Sequence, residues 1–242
     1  YIAKQVTLHK QPSSLALLPM LLSDYNPNAY QNGRMGLWQL DPNSSFEQGL
    51  LVNWWYDGRD DIVASTTDAL NILQSNYDNS HSWEYAIAAY AENNQAQSIL
   101  AASASNGFWD ADIPTTSKII VAKFIALKTI LANPEFYHIP QARISSHDPL
   151  RVMYLQSQVN LNNLATWSGL SLAQLQYFNP GFKQLATPPD HGIYPILMPL
   201  SNATQARDAM QSRGNKNHIS WIYHQVRSSA SLASIAKMYH TS

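Results

Sequence analysis

The chain has 242 residues, of which 45% are hydrophobic and 13% charged, with a formal net charge of −1 and no cysteine. That length allows one large domain or two smaller ones with a real core, and the near-neutral balance argues against a dedicated nucleic-acid binder, since no basic excess is present to neutralise phosphates. No disulfide can form, a usage that fits periplasmic, secreted and cytosolic proteins alike. No apolar run approaches the roughly 18 residues of a membrane span. No signal peptide or lipidation motif is visible; the chain opens on Tyr1, so an export signal or lipid anchor would lie outside it.

Ile2, Val6 and Leu8 give Tyr1 to Lys10 the pattern of a short helix, broken by Gln11-Pro12. Ser13 or Ser14 is a candidate cap for a second helix, LALLPMLLSDY, whose continuous apolar residues predict burial on most sides. Pro19 kinks that helix unless it falls in the first turn, and Asn26-Pro27-Asn28 stops it. Residues 31–58 carry loop signals and large aromatics, with Trp38 expected in the core and Trp54, Trp55 and Tyr56 packing the domain's outer edge. Asp57 and Arg59 read as a structural ion pair or cap. Asp57, Asp60 and Asp61 precede a periodic run from Ile62 to Tyr77, and carboxylates at a helix start favour its dipole. Helices follow over Trp83 to Asn93, over Gln95 to Ser105, and from a Thr115 or Thr116 cap to a stop before Pro134. Residues 1–140 therefore read as an all-helical domain.

After Pro140 the pattern changes. Leu150 to Gln158 reads as a strand, Leu161–Ser168 and Ser171–Phe178 as helices, and Ile193 to Met198 as a second strand. Residues 141–200 thus form a β-α-α-β unit, followed over 201–217 by a helix from Ala203 to Ser212 and a polar linker. Residues 218–242 repeat part of the unit: LNNLATWSGLS from Leu161 aligns with LASIAKMYHTS from Leu232 at a constant offset of 71 residues. Such a repeat suggests tandem modules. The second copy lacks partners to bury its core, so either the natural chain continues or these last residues are weakly held.

LALLP at Leu15–Pro19, GLWQ at Gly36–Gln39, NWWYDGRDDIVASTTDAL at Asn53–Leu70, IAAY at Ile87–Tyr90 and FWDADIP at Phe108–Pro114 occur in one order and spacing. In these the chain resembles the membrane-bound lytic murein transglycosylases of the D type, over nearly its whole length. LxxLAxxSGLSxxxLxxFNPG, from Leu161, resembles a diverged LysM module. The resemblance implies an α+β multidomain fold: an all-α lysozyme-like transglycosylase (SLT) domain, a small β-α-α-β LysM-like module and a partial second one. It implies peptidoglycan glycan strands as partner, other envelope proteins as further partners, and a periplasmic location with outer-membrane association through an anchor absent from this chain. No cofactor and no metal is implied, and the eight histidines show no paired-ligand spacing.

Enzymes of that family cleave the bond between N-acetylmuramic acid and N-acetylglucosamine with one glutamic acid. It protonates the leaving oxygen, then acts as base on the sugar's own primary hydroxyl to give an anhydro end. The chemistry needs one carboxyl with a raised pKa in a semi-buried cleft. That Glu stands just before a Ser at the end of an LLPxxES helix; here Leu22 holds the Glu position and Ser23 keeps the Ser. Other family positions have changed with it. The loop between Pro27 and Gly36 is one residue short, and Met-Pro after GLWQ has become Asp41-Pro42. The substrate-binding Asn after AAY is Ala91, and its Gly is Asn93. An ETxxYVPK-like pattern has become TSKIIVAK, with Thr116, Ile120 and Ala122 at the Glu, Tyr and Pro positions.

Leu22 reads as core filling the old acid pocket. Ser23, Gln39 and Tyr90 match groove positions, although Gln39 and Tyr90 equally serve to fix the loop against the helices. Asp24 lies roughly 200° round a helix from the acid position and should face away. Glu92 and Asp41 are the candidate displaced acids, because both sit on segments that line the family cleft. Three functions follow: a non-catalytic peptidoglycan-binding or scaffolding protein of the cell envelope, an active transglycosylase using Glu92 or Asp41, or a protein–protein module with a closed groove. LysM modules of the family hold N-acetyl sugars between the first strand–helix turn and the second helix–strand turn. The first of these turns is altered in both copies, so single-module affinity should be low and avidity would have to supply the rest.

Overall fold

A computed structural model describes residues 1–43, 49–92, 95–104, 107–140, 148–189, 192–213, 224–226 and 230–239. Asn93 and most of the 213–217 linker lie outside them. Helix α1 spans Ile2–Leu8. The second apolar run splits into a 3-10 helix, Ser13–Leu17, and α2, Leu18–Ser23. Pro19 falls in the first turn of α2, where its missing N–H costs nothing. Neither serine caps by side chain; Pro12 holds the N-cap position. Burial of α2 is narrower than its composition suggests. Leu18 and Pro19 are buried, Met20 is exposed, and Leu21 and Leu22 are half-buried.

A two-stranded hairpin follows, β1 Tyr30–Gln31 and β2 Arg34–Met35, joined through Asn32 (φ 53°) and Gly33 (φ 82°). Asn-Gly suits a turn that needs two positive φ angles. Helix α3 spans Ile62–Ser80, and its N-cap Asp61 accepts from the amides of Val63 and Ala64 at 2.8 Å each. Helices α4 Trp83–Ala91, α5 Ala96–Ala101 and α6 Thr115–Ala132 complete the helical half. The sites proposed for the α6 cap are not used that way, since Pro114 is its N-cap and no side chain caps it. The core joins Val6, Leu15, Leu18, Trp38, Leu70, Leu73, Ile87, Ile99 and Val121. Trp38 is wholly buried, and its indole N–H donates to Thr66 at 2.9 Å.

In the second half β3 Leu150–Leu155 pairs antiparallel with β4 Tyr194–Pro199, Leu150 opposite Pro199 and Leu155 opposite Tyr194. Between them lie α7 Leu161–Ser168, capped by Asn160, and α8 Leu172–Phe178, closed by a capping box of Ser171 and Gln174. Helix α9, Leu200–Arg213, packs back with Ala203 and Ala206 in the same core as Leu161, Leu164, Leu175 and Ile196. Helix α10, Leu232–Met238, carries the repeat. Its cap Ser231 stands 71 residues after Asn160, it buries no residue, and Leu232 is 87% exposed.

The helical half lends two aromatics to the core of the second half. Trp55 and Tyr56 were expected at the outer edge of the helical domain; both are buried in the cluster of the β-α-α-β unit, and Trp54 alone stays outside at 66% exposure. Their run has the aromatic bulk to fill a face the small module cannot close itself. The backbone zips the same junction: Asp57 N–H donates to Gly181 O and Lys183 N–H to Trp55 O, both at 2.8 Å. Gly181 is required there, because a Cβ would come within 2.9 Å of Asp61 Cβ and 3.1 Å of Asp57 O.

Candidate functional site

The segment Asp57–Asp61 is the keel of the site. The Asp57 carboxylate takes Arg59 Nε at 3.0 Å and Nη2 at 2.6 Å, a two-point pairing of a guanidinium with a carboxylate. Burial works to raise the Asp57 pKa, but the Arg59 hydrogen bonds and charge outweigh it and hold it below the ordinary value. Arg59 in turn supports the GLWQ turn. Gly36, at φ +74°, lies so close that a Cβ would stand 2.2 Å from Arg59 O, so only glycine fits.

Gln39 also has a positive φ, 50°, and its own side chain holds it there. Its Nε2 donates to Gly36 O at 2.8 Å and to Ala29 O at 3.2 Å. Tyr90, on α4, donates its hydroxyl to Trp38 O at 2.8 Å. Burial pushes its pKa well above the usual range. The Ser23 hydroxyl lies 2.7 Å from Leu37 O, tying the end of α2 to the same turn. Ser23 and Tyr90 thus brace the turn from behind.

In front of the turn is an open cleft of ≈ 420 Å³. Helix α2 contributes Leu21 and Leu22, the hairpin Gln31, Asn32 and Arg34, the turn Gln39, the end of α4 Ala91 and Glu92, and α6 Ile120. Of the residues singled out from sequence, Leu22, Gln39, Ala91, Glu92 and Ile120 meet in this cleft. Ser23, Tyr90 and Asp41 do not line it. Asp41 folds back on its own chain, accepting from Asn43 N–H at 2.9 Å. Asp24 is exposed and also outside the cleft. Glu92 is the C-cap residue of α4, and its Oε1 accepts from the Thr116 hydroxyl at 2.5 Å. Thr116, expected as a helix cap, thereby bridges α6 to α4. The hairpin residues Gln31, Asn32 and Arg34 were missed as site residues. Strands of two residues give no periodicity, and the Asn32-Gly33 turn was the available signal.

In the second half, the two turns that hold sugar in LysM modules are hydrogen-bonded to each other. Leu161 N–H donates to Leu185 O at 2.9 Å and Thr187 N–H to Val159 O at 3.0 Å. Val159 N–H donates to Thr187 Oγ1 at 2.9 Å, and Asn160 bridges Ala186.

A helical domain in which the LPMLLS helix and the GLWQ turn border one cleft, with an attached β-α-α-β unit, defines a class. The family pattern "Transglycosylase SLT domain" matches residues 1–106, and that of "Lytic transglycosylase MltD, LysM-like domain" matches residues 150–213. The chain belongs to the transglycosylase D family, an SLT domain followed by a LysM-like domain. Membrane-bound lytic murein transglycosylase D of Escherichia coli (strain K12) is 32% identical over 219 residues, 88% of this chain and 48% of that protein. The protein of the same name from strain CFT073 matches equally. The chain therefore spans about half the length of these curated relatives. An Alteromonas sp. (strain M-1) protein named for tributyltin chloride resistance is 29% identical over 188 residues, 74% of this chain and 86% of its own. Among the described residues no helix is long and apolar enough to cross a membrane.

Proposed function

We propose that this chain is a non-catalytic glycan-binding protein of the bacterial cell envelope, an SLT fold that holds peptidoglycan strands without cutting them. The observation that carries this reading is the wall of the cleft at α2. Leu22 occupies the place the resemblance assigns to the acid, half-buried and packed against the helical core. A leucine has no proton to give, and general acid–base assistance is worth about 10²–10⁴ in rate. The cleft has nonetheless stayed open, and the exposed hairpin residues Gln31 and Asn32 line it with side-chain amides. Such groups suit the acetamido and hydroxyl groups of amino sugars.

The LysM-like module contributes mainly as a bracket, because its two turns bond to each other and its outer face docks on Trp55 and Tyr56. The setting would be the periplasm, in association with the outer membrane. A second reading rests on one observation: Glu92 lines the cleft, so it is the carboxylate from which a displaced acid would act. Asp41 does not share that position. The test of binding is co-sedimentation of the purified chain with purified sacculi. The expected result is a pelleted fraction that rises with sacculus concentration. Absence of sedimentation would replace glycan binding with a purely protein–protein role.

A further inference from the structure

Arg34 is the cation lining the cleft. It projects from β2 opposite Gln31, is half-buried, and lines the cleft. The ion pairs among the described residues are Arg59–Asp57 and Lys183–Asp60, and Arg34 enters neither. No hydrogen bond from its side chain to a described residue is present. Its field still reaches the buried Tyr90 hydroxyl. Its planar guanidinium fork, free of ion pairs among the described residues, matches a carboxylate at two points.

The opposite wall has the opposite character. Glu92 is pinned by Thr116 and offers an acceptor for hydroxyl or amide N–H groups. The side chains of Leu21, Leu22 and Ile120 supply apolar surface for the face of a sugar ring. A ligand that satisfies all three carries a carboxylate at the hairpin end and donors at the α4 end. We infer that Arg34 makes this cleft selective for N-acetylated glycans that carry a carboxylate, over neutral N-acetylated glycans. The inference rests on the glycan-binding reading and sharpens it. The carboxylate has two sources in a peptidoglycan strand: the lactyl group of a peptide-free muramic acid, or the acidic residues of an attached peptide.

The test is calorimetric titration of the full chain with four probes. They are a peptide-free tetrasaccharide of alternating N-acetylglucosamine and N-acetylmuramic acid, the same sugar with its lactyl carboxylates converted to methyl amides, a peptide-bearing equivalent, and chitotetraose. A carboxylate in place of its amide should tighten binding about tenfold, as expected for one charge-assisted pair, and the gain should shrink at high salt. Arg34→Ala should erase that preference, so that the acid and amide forms bind alike, with the melting temperature unchanged, and Arg34→Lys should keep part of it. If the peptide-bearing probe holds the preference and the free lactyl acid does not, the peptide is the source. Equal binding of acid, amide and peptide forms, or a preference that survives Arg34→Ala, overturns the inference and leaves glycan binding intact. If no probe binds the wild type, glycan binding itself fails and takes the inference with it.

Discussion

Asp68 is 5% exposed on α3, and its Oδ2 has no hydrogen-bond partner among the described residues. Burial raises its pKa from 3.8 to about 6. Asp61 also reaches about 6; there burial outweighs the opposing bonds from the Ala64 amide, the Tyr56 hydroxyl and the Val63 amide. Both folded values lie above the unfolded one, so the folded state takes up protons first as pH falls. Stability should therefore rise on going from pH 7 to pH 5, by about 1 kcal/mol for each group, and level off below the unfolded value. Asp57 has the opposite sign: its contribution is present above 3.8 and lost only as pH falls through its lower folded pKa. Thermal melts of wild type and Asp68→Asn at pH 7 and pH 5 check this. The mutant should gain about half as much melting temperature between the two pH values as the wild type. An equal gain would show that Asp68 is solvated.

At the scale of elements, the strongest local device is the junction between the 53–61 segment and the turn after α8. Lys183 reaches across it to Asp60, which is 5% exposed. Burial pushes the Asp60 pKa up, and the Lys183 hydrogen bond and charge pull it back only in part. Removing the lysine leaves a buried carboxylate uncompensated, which costs more than removing both charges. Lys183→Met should therefore lower stability in urea by about 1–2 kcal/mol, and Asp60→Asn in the same chain should recover most of that loss. Additive losses would mean that the two residues do not interact. The same scale separates the two copies of the repeat. Asn160 and Ser231 both cap their helices, so the local signal is alike in each. Among the described residues α7 is covered by strands and α9, and α10 leaves Leu232 and Met238 in solvent.

For the molecule as a whole, much of the architecture was legible because it rests on local rules. Asp61, Asn160 and Ser171 are capping residues next to periodic apolar runs, and the helices begin where they stand. The run read as one helix from Leu15 to Tyr25 splits at Leu17 and ends at Ser23, before Asn26-Pro27. What sequence could not give was long-range. Trp55 and Tyr56 look like any aromatic edge until the module arrives to cover them. Arg34 enters the cleft only because a hairpin too short to show a pattern turns it inward. Leu22, Gln39 and Glu92 meet in the cleft, whereas Ser23 and Tyr90 face the loop behind it, a distinction of side-chain direction that spacing alone does not carry. In the proposed function the fold keeps its binding surface and has lost its proton donor. Leu22, Ala91 and Ile120 then line one rebuilt cleft, and Thr116 holds Glu92 beside them. The most direct measurement is mass spectrometry of soluble products after prolonged incubation of sacculi with wild type and with Glu92→Gln. The expected result is no anhydro-ended fragment from either protein. Anhydro ends released by the wild type and abolished in Glu92→Gln would contradict it, and would make Glu92 the acid of a working transglycosylase.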